Sequence, residues 1–558
     1  MRRFAPGRQV SLVKRLLLSV ALVLAAAVFA APMAVAWGIA HAEVEDYLGP
    51  HQTTFSANFD GEIRVGLGPL GNAYLPDPYA PIGVDVQIGG VGKIAGSSSS
   101  FFDASTLAAY TGMFSDPYET VAGVIGELAR DALVEALKAE MVLLAAFALW
   151  THRRRFLRKR VVEHTGLVRT MVVYLVVAMI FIGSAVAPPP PTDEVRIEVT
   201  VARGTPLEGL TVDSALLSDL LDRGIKGVNL LVDRQQKAMA DYVKHADDEL
   251  TRQQASLVVP GENETVMLGI SDLHCNQPMT QIIRRLATTV QPSMIFSSGD
   301  DTVNGTAAER GCVTREARIA SDLQIPFPVS GGNHDSDITE AQMRRSGMTV
   351  LDGKIVDLNG VNVLGDDDPE QNIPFSVERT LQRPETQEQL GQRMLDQAAG
   401  KDVDVMLVHQ PTASVVIATA PNPPAKLIMW GHYHSQAGPN VIAHDDGSWT
   451  VALQAGTAGG VKEPTITSFS TPFSAPRTSA DVYLFTRNIP TGLITSVQPI
   501  HFMPNGDVVI DEPIPTGDVD ALPPETREKL GDVEGAQSPA PSGSVPTPAG
   551  EAGEQGPG

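Results

Sequence analysis

Five short clusters of Asp, Asn and His lie between residues 271 and 434, each just after an apolar run. Ser271-Asp272-Leu273-His274 follows Thr265 to Ile270, and Gly299-Asp300-Asp301 follows Met294-Ile295-Phe296. Gly331-Gly332-Asn333-His334-Asp335 follows Ile325 to Val329. His409 follows Val405 to Val408, and Gly431-His432-Tyr433-His434 follows Leu427 to Trp430. In an extended chain residues i and i+2 point the same way, so Asp272 and His274 can reach one cation together. His432 and His434 can do the same, or diverge to two cations from an open loop. Gly299 permits a sharp turn before Asp300, and Asn333 offers a neutral carbonyl oxygen. Imidazole and carboxylate donors suit Zn, Mn or Fe better than Ca or Mg. Singly, each cluster has a plainer reading as a surface Asp–His pair, a turn, or a loop with exposed histidines. A core role is poor for all of them, because buried charges without partners are costly. The ordered set decides for metal chemistry, since it uses four of the twelve histidines as candidate ligands and a fifth beside Asn333.

The elements that must position these groups follow a repeated pattern of strand, polar cluster and helix. Each strand delivers Asp, Asn or His just past its C-terminal end. In sheets with helical crossovers that edge is where ligands bind.

At these residues the sequence resembles the calcineurin-like metallophosphoesterase superfamily. Its five blocks, Asp-x-His, Gly-Asp, Gly-Asn-His-Asp/Glu, a lone His and Gly-His-x-His, are present in order over about residues 262–460. The resemblance implies an α/β fold, a four-layer α/β/β/α sandwich with a two-metal site at one edge. It implies that one ion takes Asp272, His274, Asp300 and His434. The other takes Asp300, Asn333, His409 and His432, with Asp300 as the bridge. It implies that His334 contacts the phosphoryl oxygens or the leaving group rather than an ion. The cofactors expected are therefore two divalent metal ions (Mn, Fe or Zn). Two such ions and the carboxylates Asp272 and Asp300 leave net positive charge, enough to hold a hydroxide and a phosphate ester. Ions ~3.5–4 Å apart acidify a water between them and clamp the transition state.

The sequence departs from the family at Val303, where many members carry an acid or histidine that orients the catalytic His. Asp301, Asn304 or Asp335 is expected to substitute, so His334, Asp301 and Asp335 are the candidate catalytic residues. No Arg is obviously placed to grip phosphate. Arg315 and Arg318 read as surface helix positions.

Apolar residues run almost unbroken from Leu16 to Ala40, after Arg2, Arg3, Arg8, Lys14 and Arg15. A membrane span needs ~20 residues, and a signal core is ~7–15, so an uncleaved anchor is expected. A second apolar stretch covers Val134 to Trp150, interrupted by Glu135, Lys138 and Glu140, and a third runs from Leu167 to Ala187. The basic residues between them, Arg153 to Arg160, mark a cytoplasmic hinge. The organisation expected is a cytoplasmic N-terminus (1–15), three transmembrane helices (16–40, 131–151 and 167–187) and a cytoplasmic loop (152–166). Segments 41–130 and 188–260 should be extracytoplasmic, followed by the catalytic domain (261–510) and a disordered tail (511–558). Strands within 55–95 and at Arg196 to Val201 are expected to form one small β-rich juxtamembrane unit, with helices over 104–131 and 210–255. The protein should thus sit in the plasma membrane as a multi-pass protein, with the lipid bilayer and a phosphate ester as its partners. Outside the cytoplasm, Cys275 and Cys312 can form a disulfide.

A formal charge of −23 argues against a general nucleic-acid binder. Two cysteines exclude a Cys-rich zinc module. The reading is a metal-dependent hydrolase of phosphate mono- or diesters. The alternatives are an exported nuclease-type phosphodiesterase, and a non-catalytic receptor or scaffold on the same fold. A retired enzyme should have lost ligands, and none is lacking. A transporter is disfavoured, because no span pairs with another as a pathway would need.

Overall fold

The computed structural model describes residues 6–48, 51–76, 82–91, 117–157, 196–203, 207–373, 379–461, 476 and 478–531. The described helices are α1 (Pro6–Ala40), α2 (Pro117–Leu157), α3 (Ala215–Gln253), α4 (Gln277–Val290), α5 (Arg310–Ser321), α6 (Asp337–Arg345), α7 (Gln387–Ala398), α8 (Pro411–Ala418) and α9 (Pro524–Gly531).

The chemistry-bearing part rests on two sheets. The first uses β8 (Glu264–Ile270), β9 (Met294–Ser297), β10 (Pro328–Val329), β11 (Thr349–Val350), β20 (Ala480–Asn488), β21 (Ile494–Phe502), β22 (Val508–Ile510) and β23 (Ile514–Pro515). Its order is β11-β10-β9-β8-β20-β21-β22, with β23 also on β21. The second uses β12 (Val356–Asp357), β13 (Asn362–Gly365), β16 (Val403–Leu407), β17 (Ala425–Trp430), β18 (Ala437–Ala443) and β19 (Trp449–Gln454). Its order is β12-β13-β16-β17-β19-β18. A short hairpin, β14 (Glu370–Asn372) and β15 (Arg379–Leu381), stands apart.

The strands read as unbroken apolar runs because both faces are buried. On β20, Val482 and Leu484 join a core with Tyr242, Ile282 and Val313 of α3, α4 and α5. Tyr483 and Phe485 point the other way, into a core with Phe296, Leu427 and Met429. On β17, Leu427 and Met429 face that central core, while Ile428 and Trp430 face Leu390 and Ile417 of α7 and α8. Three cores thus separate four layers, helices, sheet, sheet and helices. Gly269 permits the tight centre, since a Cβ there would meet Phe485 at 2.7 Å and Phe296 at 2.9 Å.

A seven-stranded sheet precedes this part. It comprises β1 (Glu43–Leu48), β2 (His51–Asn58), β3 (Glu62–Gly66), β4 (Asn72–Pro76), β5 (Gly83–Val91), β6 (Ile197–Glu198) and β7 (Thr211–Val212), in the order β1-β2-β5-β3-β4-β7-β6. Two distant pieces of chain therefore share one sheet. Asp213 ties them, accepting from Asn72 N and Asn72 Nδ2 at 2.8 Å each. The strand expected over 196–201 is only Ile197–Glu198, because a 3-10 turn begins at Thr200.

Two expectations need correction. Among the described residues one helix is long and apolar enough to cross a membrane, over Val23–Ala40. The second expected span lies in α2, where Glu135, Lys138 and Glu140 break the apolar run; the third lies outside the described residues. A multi-pass arrangement is therefore not supported. Residues 511–531 are not a loose tail: β23 pairs with β21, Leu522 is buried in the central core, and Gly517 lies against Trp449. Few large apolar residues were enough, because Leu522 is buried in that core and Val519 and Leu530 pack against it. Residues 532–558 lie outside the described residues, as does most of the basic loop.

Candidate metal centre

The five clusters meet at one place. Asp272 and His274 follow β8, Asp300 follows β9, and Asn333 follows β10, all parallel neighbours in the first sheet. His409 follows β16, and His432 and His434 follow β17, parallel neighbours in the second. Asp272, His274, Asp300 and His434 bring one donor atom each within 4.8 Å of one another, and Asp300, His409 and His432 do the same. His432 and His434 thus diverge to two groups, and Asp300 belongs to both.

The backbone that achieves this is not the extended chain the i, i+2 spacing suggested. Asp272, His274, Asp300, His432 and His434 all have left-handed φ, from 46° to 75°. Such residues cost of order 1–3 kcal/mol each and persist where the surroundings over-determine them. The motif glycines provide the room. A Cβ on Gly431 would meet Asp272 Oδ2 at 2.2 Å, and one on Gly332 would meet Asp300 Oδ1 at 2.2 Å. Main-chain donors then fix the carboxylates: His432 N donates to Asp272 Oδ1 (3.1 Å), and His334 N to Asp300 Oδ1 (2.8 Å).

The histidines are aimed by their second nitrogens. Nδ1 of His274, His409 and His434 lies 3.1, 3.0 and 2.9 Å from the carbonyls of Thr302, Ser298 and Val461. Donation there leaves the Nε2 lone pair for a cation. Nε2 of His274 and Nε2 of His434 face each other at 3.1 Å. His409 Nε2 lies 3.2 Å from Asp300 Oδ2, without hydrogen-bond geometry. Asn333 Oδ1 is buried with no hydrogen-bond partner. Opposed lone pairs, an orphaned amide oxygen and buried carboxylates are a donor set that fits cations.

The electrostatics agree. Burial works to lower His409, yet the charges of Asp300, Asp272 and Asp368 outweigh it and raise it to about 10. His274 is lowered to about 3, mainly by burial. His432 is lowered to about 4, again by burial, with His409 adding to it. The carboxylates thus draw positive charge to His409, while burial favours neutral His274 and His432 with free lone pairs.

His334 sits beside the centre, its ring 5.0 Å from that of His274. Its Nδ1 lies 2.6 Å from the carbonyl of Val303, and Asn372 Nδ2 lies 2.8 Å from its Nε2. Two of the groups at the ring, the Val303 carbonyl and Asn372, were not among those expected. Asp301 accepts from Ser297 Oγ at 2.7 Å, and shares its burial with Glu316, whose carboxyl is driven well above its ordinary range by desolvation and Asp301. Asp335 is taken up by main-chain donors, Asp300 N, Thr302 N and Gly332 N, at 2.9 Å each. Asn304 N donates to Glu309. Arg315 and Arg318 lie on α5, and Glu316 between them is buried against the Asp301 loop. Two functional groups escaped the sequence. The Val303 carbonyl is invisible in a side-chain pattern, and Asn372 belongs to no motif. Cys275 and Cys312 are paired, Cα to Cα 5.2 Å.

Residues 266–436 match the family model described as calcineurin-like phosphoesterase. No curated protein matches the chain. Among solved structures, the Haemophilus influenzae NAD nucleotidase NadN aligns at 12% identity and TM-score 0.27, over 49% of this chain and 56% of that one. The chain thus spans a little over half of that protein's length. Yfce, a phosphoesterase from E. coli, aligns at 13% and 0.22, over 45% of this chain and 100% of that one. A metallophosphoesterase from Sphaerobacter thermophilus aligns at 14% and 0.21, over 48% and 100%. The family generally uses a dinuclear metal centre. The matched segment contains Asp272, His274, Asp300, Asn333, His409, His432 and His434, and it makes this chain the bearer of a calcineurin-like phosphoesterase domain, a metallophosphoesterase domain of hydrolases acting on phosphoric esters.

Proposed function

We propose that the protein is a dinuclear metal-dependent phosphoesterase hydrolysing phosphate mono- or diesters, held at a membrane by α1 with its catalytic domain outside the cytoplasm. The observation that carries the catalytic reading is Asp300. Its Oδ2 lies 3.8 Å from His274 Nε2 on one side and 3.2 Å from His409 Nε2 on the other. Asp272, His274, Asp300 and His434 would hold one ion, and Asp300, Asn333, His409 and His432 the other. When bound, divalent ions of the Zn, Mn or Fe kind supply the charge that acidifies a water and offsets the phosphate. Asp300 keeps the two donor groups in register. His334, its Nδ1 on the Val303 carbonyl, transfers a proton to the leaving oxygen as the imidazolium, with Nε2–H turned from Asn372 Nδ2 to the ester, a contribution of ~10²–10⁴ in rate. The exposed apolar flank of α1, with Leu24 and Val28 61% and 72% exposed, supports the anchor. The Cys275–Cys312 pair supports an oxidising compartment.

The test is metal analysis of the purified full chain, together with hydrolysis of 4-nitrophenyl phosphate and bis(4-nitrophenyl) phosphate. Two metal equivalents and metal-dependent turnover are expected. Full turnover after chelation, or no metal uptake, would overturn the reading.

A further inference from the structure

Between the third and fourth clusters the chain makes the β14–β15 hairpin, which belongs to neither main sheet. Its root is fixed to the site. Asp368 N donates to Gly331 O (2.9 Å), and the buried Asp368 carboxylate accepts from Gln410 Nε2 (2.6 Å) and Glu370 N (2.9 Å). Gln410 is the residue after His409, and Gly331 opens the third cluster. Asn372 N donates to Asn333 O at 2.7 Å. The hairpin is therefore pinned to two of the loops that carry candidate ligands.

Its inner face bears specific chemistry. Asn372 pairs with Arg379 across the two strands, and directly opposed residues share a face. Asn372 Nδ2 reaches His334 Nε2 at 2.8 Å, so this face looks onto the reacting edge. Asn372 Oδ1 is buried and has no hydrogen-bond partner. Among the described residues the Arg379 guanidinium pairs with Glu370, at 3.1 Å, with the two side chains 39% and 35% exposed. Exposed ion pairs of this kind are weak and readily exchanged. A phosphate, like a carboxylate, matches the planar fork of a guanidinium.

We propose that the β14–β15 hairpin is the substrate clamp of this site, with Arg379 gripping a non-bridging phosphoryl oxygen and Asn372 contacting the ester at its leaving oxygen. The inference rests on the phosphoesterase reading above and deepens it. Donor groups on the metal side can face only part of a tetrahedral phosphate, and the oxygens turned away need donors from across the cleft. Arg379 supplies charge there. Asn372 supplies an NH₂ already positioned at His334, which turns to the leaving oxygen when Nε2 carries a proton.

The test uses the full-length, metal-loaded protein and three variants, Arg379→Ala, Arg379→Lys and Asn372→Ala. Metal content, inorganic phosphate affinity by calorimetry, and hydrolysis of 4-nitrophenyl and alkyl phosphates are measured. All variants should keep two metal equivalents. Arg379→Ala should weaken phosphate binding and raise KM by about tenfold or more, with Arg379→Lys in between. Asn372→Ala should lower kcat more for alkyl than for nitrophenyl esters, since only poor leaving groups need help to depart. The lysine variant keeps a cation beside Glu370 and reports even if the alanine variant fails to fold. Unchanged phosphate affinity and KM in the Arg379 variants would overturn the clamp while metal-dependent turnover of the unaltered protein leaves the phosphoesterase reading standing. No metal uptake by the unaltered protein would overturn both.

Discussion

Asp300 serves both donor groups, whereas Asn333 offers one neutral oxygen to a single group, and this difference sets the order of two losses. Asp300→Asn should leave fewer than one metal equivalent and no measurable turnover. Asn333→Ala should chiefly empty one site, leaving about one equivalent. Elemental analysis of the two proteins distinguishes them, and two equivalents retained by Asp300→Asn would refute the bridge. The histidines add a pH dependence. His409, raised to about 10 by the carboxylates around it, carries a proton at neutral pH when no cation is present. A metal ion must displace that proton, so uptake weakens as pH falls, by about tenfold per unit for each proton released. Titrations between pH 6 and 8 should show this slope, and His409→Ala should bind metal more weakly with a flatter profile. Val303 behaves differently. Its main chain, not its side chain, reaches His334, so Val303→Ala should leave kcat within about twofold. A drop of a hundredfold would mean that the side chain, not the carbonyl, holds the ring.

At the scale of elements, the catalytic sandwich was legible because strands buried on both faces print as short apolar runs, and because each run ends in a ligand-type residue. Val266, Leu268 and Ile270 face the helices while Met267 faces the central core, so no alternation marks the strand in the sequence. What was not legible is geometry that side-chain types do not encode. Asp272 and His274 converge through left-handed backbone rather than an extended chain, and nothing in Asp-x-His distinguishes the two. The β14–β15 hairpin left no signature, having three residues per strand. The Asp335 carboxylate was assigned to the reaction, but it is the loop's internal clasp, gathering main-chain donors from residues 300, 302 and 332. Asp335→Ala should therefore destabilise the domain by about 2–4 kcal/mol, since several buried N–H groups lose their acceptor. Chemical denaturation of the metal-free protein measures this. A variant with unchanged stability but lost turnover would return Asp335 to a catalytic role.

Across the whole molecule, the N-terminal unit touches the catalytic domain at the loop that orients His334. Glu309 gathers Val303 N (2.7 Å), Asn304 N (3.1 Å) and Thr306 N (2.8 Å), and so shapes the segment whose Val303 carbonyl faces the imidazole. From the other side, the buried carboxylate of Asp46 on β1 accepts from Ala307 N at 3.0 Å, and Val124 of α2 packs with Phe55, Val86 and Ala307. Burial raises Asp46 to about 6, with Glu127 adding to the shift against hydrogen bonds from Tyr47 and Ala307. The unfolded value is ~3.9, so the native state holds the proton more tightly. The resulting stabilisation is complete below about pH 4 and is lost as pH rises through 6; two pK units correspond to about 3 kcal/mol. Asp46→Asn keeps an acceptor without the charge, so it should remove this part of the pH dependence and gain about 1 kcal/mol at pH 7.5. Equal pH dependence in the two proteins would exclude Asp46 as its source. A steric test then asks whether this contact matters to the reaction. A Cβ on Gly123 would meet Ala307 O at 1.9 Å, whereas one on Gly126, a turn further along α2, meets nothing within 4 Å. Both substitutions to Leu favour the helix equally, so Gly126→Leu is the control for everything except the collision. Gly123→Leu should push α2 off the loop and loosen the seat of Val303, lowering kcat by tenfold or more for alkyl phosphates and less for nitrophenyl phosphate. Its metal content should stay near that of the unaltered protein, because Asp300, the candidate ligand on the same loop, is held separately by His334 N. Equal kcat for the two leucine variants would mean that the N-terminal unit touches the catalytic loop without steering it.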